Sequence, residues 1–179
     1  MSLRHHPADA HLADYAAGRM RAGFDVVLGA HLERCPRCRE RVSMFEAVAG
    51  ELMETLPETT VSDDLLAHTL ALLERDPSRE PEAAPPGRSL VDRLPLGRRR
   101  NLAPGVWVQP VDVPHEAGDR VYLLRVAAGL QGLHHGHDGA EMTVVLQGSL
   151  HDGETVFEAG DFAEVDTRSE EHTSELQSH

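Results

Sequence analysis

The strongest constraint on how this chain can fold is the run His31-Leu32-Glu33-Arg34-Cys35-Pro36-Arg37-Cys38, which reads H-x3-C-x2-C and holds both cysteines. Two thiols and an imidazole at that spacing can converge on one tetrahedral ion, and zinc takes four such ligands. Pro36 suits the first residue of a helix, where its missing N–H costs nothing. Cys35 and Cys38 therefore form a tight pair across a helix start, whose positive end favours thiolate over thiol. His31 closes from the end of a preceding helix. The fourth donor must come from elsewhere. His5, His6 and His11 lie near the N-terminus, and His6 directly precedes Pro7 at an expected helix start. The set His6, His31, Cys35 and Cys38 is the expected zinc site. Two other readings compete. A thioredoxin-like C-x-x-C should follow a strand, whereas this one lies among helices. A redox switch would join the two cysteines as a disulfide and expel the ion outright.

Up to about Arg75 the pattern is helical. Pro7 opens a first helix that Gly18 can end. Phe24, Val27, Leu28 and His31 recur at helical spacing. Cys38, Val42, Phe45, Ala49, Leu52 and Leu56 form one apolar stripe at alternating steps of four and three. Ser62 can cap a last helix carrying Leu65, Leu66, Thr69, Leu70 and Leu73, more leucine than a small three-helix core can easily bury. Residues 76–90 read as a linker rich in proline, with almost no apolar bulk. Short β-branched runs follow at 106–108, 120–126 and 142–146. Helices then strands, divided by such a linker, predict an α+β chain of two domains, 1–75 and 91–167.

The second half carries its own metal pattern. Gly129, His135, His137, Glu141 and Gly148 spell G-x5-H-x-H-x3-E-x6-G, which matches the first motif of cupins. His135 and His137 flank one residue, so on a strand both point to one face, and Glu141 can bend back to the same ion. Such a set accepts a second divalent metal, zinc first, with iron, manganese or nickel as alternatives. A His-rich surface turn without an ion is the lesser alternative, and His134 and His151 read as solvent-facing bystanders. Glu158-Ala159-Gly160-Asp161 resembles the turn that precedes the second cupin motif, whose histidine should come some way further on. There the chain changes character. Residues 168–179, RSEEHTSELQSH, match the translation of a common short-read sequencing adapter and are set aside from fold reasoning. His172 stands near the expected place but falls inside that segment. The native chain is expected to continue past Thr167, and the jelly roll is expected to be truncated, with an open strand edge.

Composition narrows the function. The formal net charge is −13, which argues against general binding to nucleic acid or anionic membrane. All 17 basic side chains are Arg, and aromatics make up 4%, so the cores rest on Leu, Val and Ala. The N-terminus MSLRHHPADA has no hydrophobic signal region. No apolar run approaches the ~20 residues of a membrane span. A cytoplasmic location is expected, where C-x-x-C is more often metal-binding or redox-active than a structural disulfide.

The string RHHPADAHLADYAAG…HLERCPRCRERVSMFEAVAGELME resembles the zinc-binding anti-sigma factors, and within them the ChrR-type subgroup that joins this domain to a cupin. The resemblance implies a bacterial regulator that holds an extracytoplasmic-function sigma factor away from core RNA polymerase. It matches zinc to His6, His31, Cys35 and Cys38, with His5 a close competitor for the first. It also implies that the cupin is needed to release sigma on oxidative signals such as singlet oxygen. Leu65, Leu66, Leu70 and Leu73 are then the candidate partner face; covering their own small core is the equal alternative. No catalytic residue is expected. The competing function is a cupin metalloenzyme, a dioxygenase or isomerase with a zinc-stapled accessory domain, since a facial site with open positions can do that chemistry.

Overall fold

The computed structural model describes residues 3–75, 89–113, 120–130 and 139–165. Four helices come first: α1 (Asp9–Ala16), α2 (Ala22–Leu32), α3 (Pro36–Glu54) and α4 (Leu65–Arg75). Seven strands follow: β1 (Arg100–Ala103), β2 (Val106–Pro110), β3 (Tyr122–Val126), β4 (Glu141–Val144), β5 (Ser149–Asp152), β6 (Thr155–Glu158) and β7 (Phe162–Val165). The strands pair antiparallel as β1-β2-β3, β4-β7 and β5-β6. The expected order of helices before strands holds. The linker is outside the described residues except for its last two positions, and the segment 168–179 is wholly outside them.

The sequence places the start of α1 at Pro7, but the helix begins at Asp9. Residues 4 and 5 have other partners. The backbone N–H groups of Arg4 and His5 donate to Asp161 Oδ1 at 2.9 and 3.2 Å, and His5 C=O accepts from Phe162 N–H at 3.1 Å. That segment is held across the molecule before the helix can begin. Gly18 ends the helical region as expected, at a φ of 63° that suits glycine.

α2 and α3 meet at a sharp corner. Arg39, on α3, donates to the carbonyls of Leu32 and Glu33 at 2.6 and 3.1 Å. It satisfies acceptors that the end of α2 leaves open. Cys35 is the N-cap of α3, and its Sγ accepts from Cys38 N–H. α1 lies against α3, where Asp9 pairs with Arg41.

The main core is shared between helices and strands. Leu12, Leu28, Leu32, Cys35, Cys38 and Val42 from the helical side pack with Met142 of β4 and Phe162 of β7. The apolar stripe of α3 is buried only in its first part. Val42 is buried and Phe45 half-buried, but Leu52 and Leu56 are 62% and 65% exposed. Helices this short cannot wrap a helix of 19 residues along its whole length, so its second half projects beyond the core.

Phe162 belongs to a strand yet fills the helical core at 3% exposure. Phe162→Ala should therefore cost about 3–5 kcal/mol, read from the helical circular-dichroism signal in urea unfolding. A helical signal that melts as in the wild type would show that the two regions do not share a core.

Candidate metal centre

The corner between α2 and α3 presents three of the four expected donors. His31 lies in the last turn of α2, Cys35 caps α3 and Cys38 sits in its first turn. His6 arrives on the extended segment that Asp161 and Phe162 hold. The donor atoms of His6, His31, Cys35 and Cys38 all lie within 4.8 Å of one another. His31 Nε2 is 3.3 Å from Cys38 Sγ, and His6 Nδ1 is 3.4 Å from both sulfurs. A tetrahedron with zinc–ligand bonds of ~2.0–2.3 Å has edges of roughly 3.3–3.8 Å, and the three nitrogen–sulfur separations fall in that range. His5 points elsewhere, its ring against Phe157 with centroids 4.4 Å apart. His11 pairs with Glu164 on β7 at 2.7 Å.

The donors are sheltered. His31 is fully buried, and Cys35 and Cys38 are each 2% exposed. Burial is the main cause lowering the His31 pKa, against the raising effect of its bond to Gly160, and this favours the neutral imidazole that a metal needs. Burial and the neighbouring Cys35 push the Cys38 thiol up to about 12. The protein's own groups therefore leave that thiol protonated. A divalent cation among the four would supply the charge that two thiolates require. The donor set and its depth fit zinc in a closed, structural site.

The tautomer of His31 is set by geometry. Its Nδ1 lies 2.7 Å from the carbonyl oxygen of Gly160. A carbonyl only accepts, so Nδ1 carries the proton and the Nε2 lone pair faces Cys38. Gly160 belongs to the Glu158–Asp161 turn, which from sequence alone is expected only to precede a later ligand. Nothing in the local sequence connects it to His31, 129 positions earlier.

The second expected set is less completely placed. Glu141 is the first residue of β4 and is half-buried, with Thr143 Oγ1 at 3.5 Å from its carboxylate. His135 and His137 lie outside the described residues, as does His134. His151 is exposed on β5. Among the described residues, the single group of three or more His, Cys, Asp or Glu side chains close enough to share a metal is the His6 cluster.

The expected partner face is on the surface. Leu65, Leu66, Leu70 and Leu73 of α4 are 45%, 70%, 51% and 68% exposed. Met44, Val48 and Leu52 of α3 are exposed as well. Of these only Leu52 belongs to the apolar stripe that periodicity finds on α3, and periodicity cannot say what covers such a face. Among the described residues, no helix is long and apolar enough to cross a membrane.

A helical domain with a His2Cys2 cluster, three of its four residues buried and His6 half-buried, followed by a β region, is the architecture of the anti-sigma factors that carry a C-terminal cupin. Residues 98–179 match the family described as the ChrR cupin-like domain. Over 97% of its length the chain is 38% identical to the anti-sigma-E factor ChrR of Cereibacter sphaeroides, covering 84% of that protein. A crystal structure of Rhodobacter sphaeroides SigE in complex with the anti-sigma ChrR matches with a TM-score of 0.76 and 36% identity, over 92% of this chain and 88% of that one. The chain belongs to the ChrR-type family of anti-sigma factors, and its fold is an N-terminal four-helix domain followed by a cupin-like β region.

Replacing Cys35 or Cys38 by Ser should remove one equivalent of bound zinc per chain and markedly lower the melting temperature, because structural zinc contributes folding free energy directly. His5→Ala should leave the zinc content unchanged. Metal analysis of the purified variants checks both, and loss of zinc in His5→Ala would reassign the fourth ligand.

Proposed function

We propose that this protein is a cytoplasmic anti-sigma factor, a non-enzymatic regulator that binds an extracytoplasmic-function sigma factor through its helical domain. The observation that carries the reading is the uncovered apolar surface of α4 and the second half of α3. Leu66 and Leu73 are 70% and 68% exposed on a short helix, and exposed apolar surface of this extent marks an interaction site. In the solved relative, ChrR is in complex with SigE. Zinc on His6, His31, Cys35 and Cys38 would staple residues 1–75, a domain otherwise short of core. Residues 91–167 form the cupin. His135, His137 and Glu141 would hold its metal there, and an oxidative signal such as singlet oxygen, read at that site, would release sigma. No step in this mechanism is chemical catalysis: binding, shielding and release are all changes of affinity.

The test is co-purification of the full chain with the sigma factor encoded beside its gene. Leu66→Asp together with Leu70→Asp should weaken the complex by at least ~30-fold, since burying a leucine side chain contributes about 1.5–3 kcal/mol and an unpaired carboxylate in its place is costly to bury. Both positions are exposed, so the melting temperature of the free protein should stay close to wild type. A complex as tight as that of the wild type would remove α4 from the interface. Failure of the intact chain to form any complex would overturn the proposed function.

A further inference from the structure

The Glu158–Asp161 turn of the β region does two jobs at the metal centre of the helical domain. Its Gly160 carbonyl accepts the hydrogen bond donated by His31 Nδ1–H at 2.7 Å. Its Asp161 carboxylate, 1% exposed, accepts the N–H groups of Arg4 and His5 at 2.9 and 3.2 Å. Those residues immediately precede His6. The other carboxylate oxygen accepts Glu158 N–H at 2.9 Å and so closes the turn on itself. Phe162, next in the chain, binds the His5 carbonyl and sets its ring edge-on to His31, with centroids 5.9 Å apart. The two histidines of the cluster are thus aimed by a single turn that neither helix contains.

The backbone of that turn is specialised for the task. Gly160 has φ of 101°, a conformation that L side chains rarely adopt. A Cβ there would come within 2.7 Å of Leu3, on the segment that carries His6. The turn also hangs from β4: Gly160 N–H donates to Val145 C=O at 2.7 Å, and Val145 N–H donates to Asp161 C=O at 3.1 Å. Val145 follows directly on the strand that Glu141 begins.

We propose that Gly160 and Asp161 are the positioning residues of the His2Cys2 metal centre, so that metal affinity in the helical domain and docking of the cupin-like region are thermodynamically linked. The inference rests on the reading that these four residues hold a metal. Hydrogen bonds behind a metal-bound imidazole fix its tautomer and orientation, and their loss typically costs ~10–100-fold in affinity. By linkage, what tightens the metal tightens the docking, and a shift in the cupin that withdraws the turn loosens the metal by the same factor. The turn is therefore a physical route by which β4 reaches the helices that face a partner.

Cobalt(II) is the probe. Both cysteines of the chain lie in the cluster, so a sulfur-to-cobalt charge-transfer band reports this site alone, whatever the cupin binds. In the full chain, Asp161→Asn should weaken cobalt binding by about 10-fold and Asp161→Ala by ~10–100-fold, with a changed band. Glu164→Ala is the control. It breaks the His11–Glu164 contact between the same two regions without touching the metal shell, and should change affinity less than twofold. Wild-type affinity and spectrum in both Asp161 variants would overturn the proposal. Absence of the band in the unmodified chain would instead overturn the metal reading beneath it. A reciprocal measurement on the unmodified chain covers the case in which the Asp161 variants do not fold. Chelation should strip hydrogen-exchange protection from the amides of Arg4, His5, Glu158 and Phe162 while leaving those of β2 and β3 protected. Unchanged protection at the four amides would equally refute the linkage.

Discussion

One imidazole ring joins the two halves of this protein. His31 is buried completely, and each of its nitrogens is committed: Nε2 toward Cys38, Nδ1 to the carbonyl of Gly160. A buried polar ring is tolerated only when its donor and acceptor are both satisfied. The ring therefore stays where it is only if the α2–α3 corner and the Glu158–Asp161 turn stay together. The packing of Phe162 on His31, the capture of residues 4 and 5 and the late start of α1 all depend on that meeting. Asp161 shows the same economy. Burial raises the pKa of its carboxyl, but the backbone donors of Glu158, Arg4 and His5 more than offset this and hold it below the usual carboxylate range. It is an anion that three N–H groups keep in place.

A small helical domain has little interior to spend. α3 is long enough to line a core along its first part only, and α4 places its leucines on the surface. The His2Cys2 cluster and the two strand residues Met142 and Phe162 make up part of the deficit. Under the proposed function, the apolar surface left over is what the domain presents to its partner. A domain that buried all of it would be more stable and would have nothing to present.

Much of the metal cluster was legible in sequence, because its spacing is chemical. A Pro after the first cysteine starts a helix, a C-x-x-C pair spans that start, and a histidine one turn earlier closes on it. The strands of the β region were legible in part. The runs at 106–108, 120–126 and 142–146 are rich in β-branched residues, whereas β1 (Arg100–Ala103) and β5 (Ser149–Asp152) contain none and do not stand out as strands. The choice between His5 and His6 was not legible. Adjacent residues of an extended segment point to opposite sides, and which side faces the cluster depends on how Asp161 grips the backbone.

By itself, then, the sequence determined which atoms could meet a metal, where helices give way to strands, and that one helix carries more leucine than its neighbours can cover. Those properties follow from local spacing and composition. The tertiary structure alone decided that α3 is only half buried, that the core is shared with β4 and β7, and that a glycine–aspartate turn in the β region completes the surroundings of a cluster in the helices. The reason is separation along the chain. A hydrogen bond between residues 31 and 160 leaves no local pattern, because neither a carbonyl nor a positive-φ glycine carries any mark of the partner it will find.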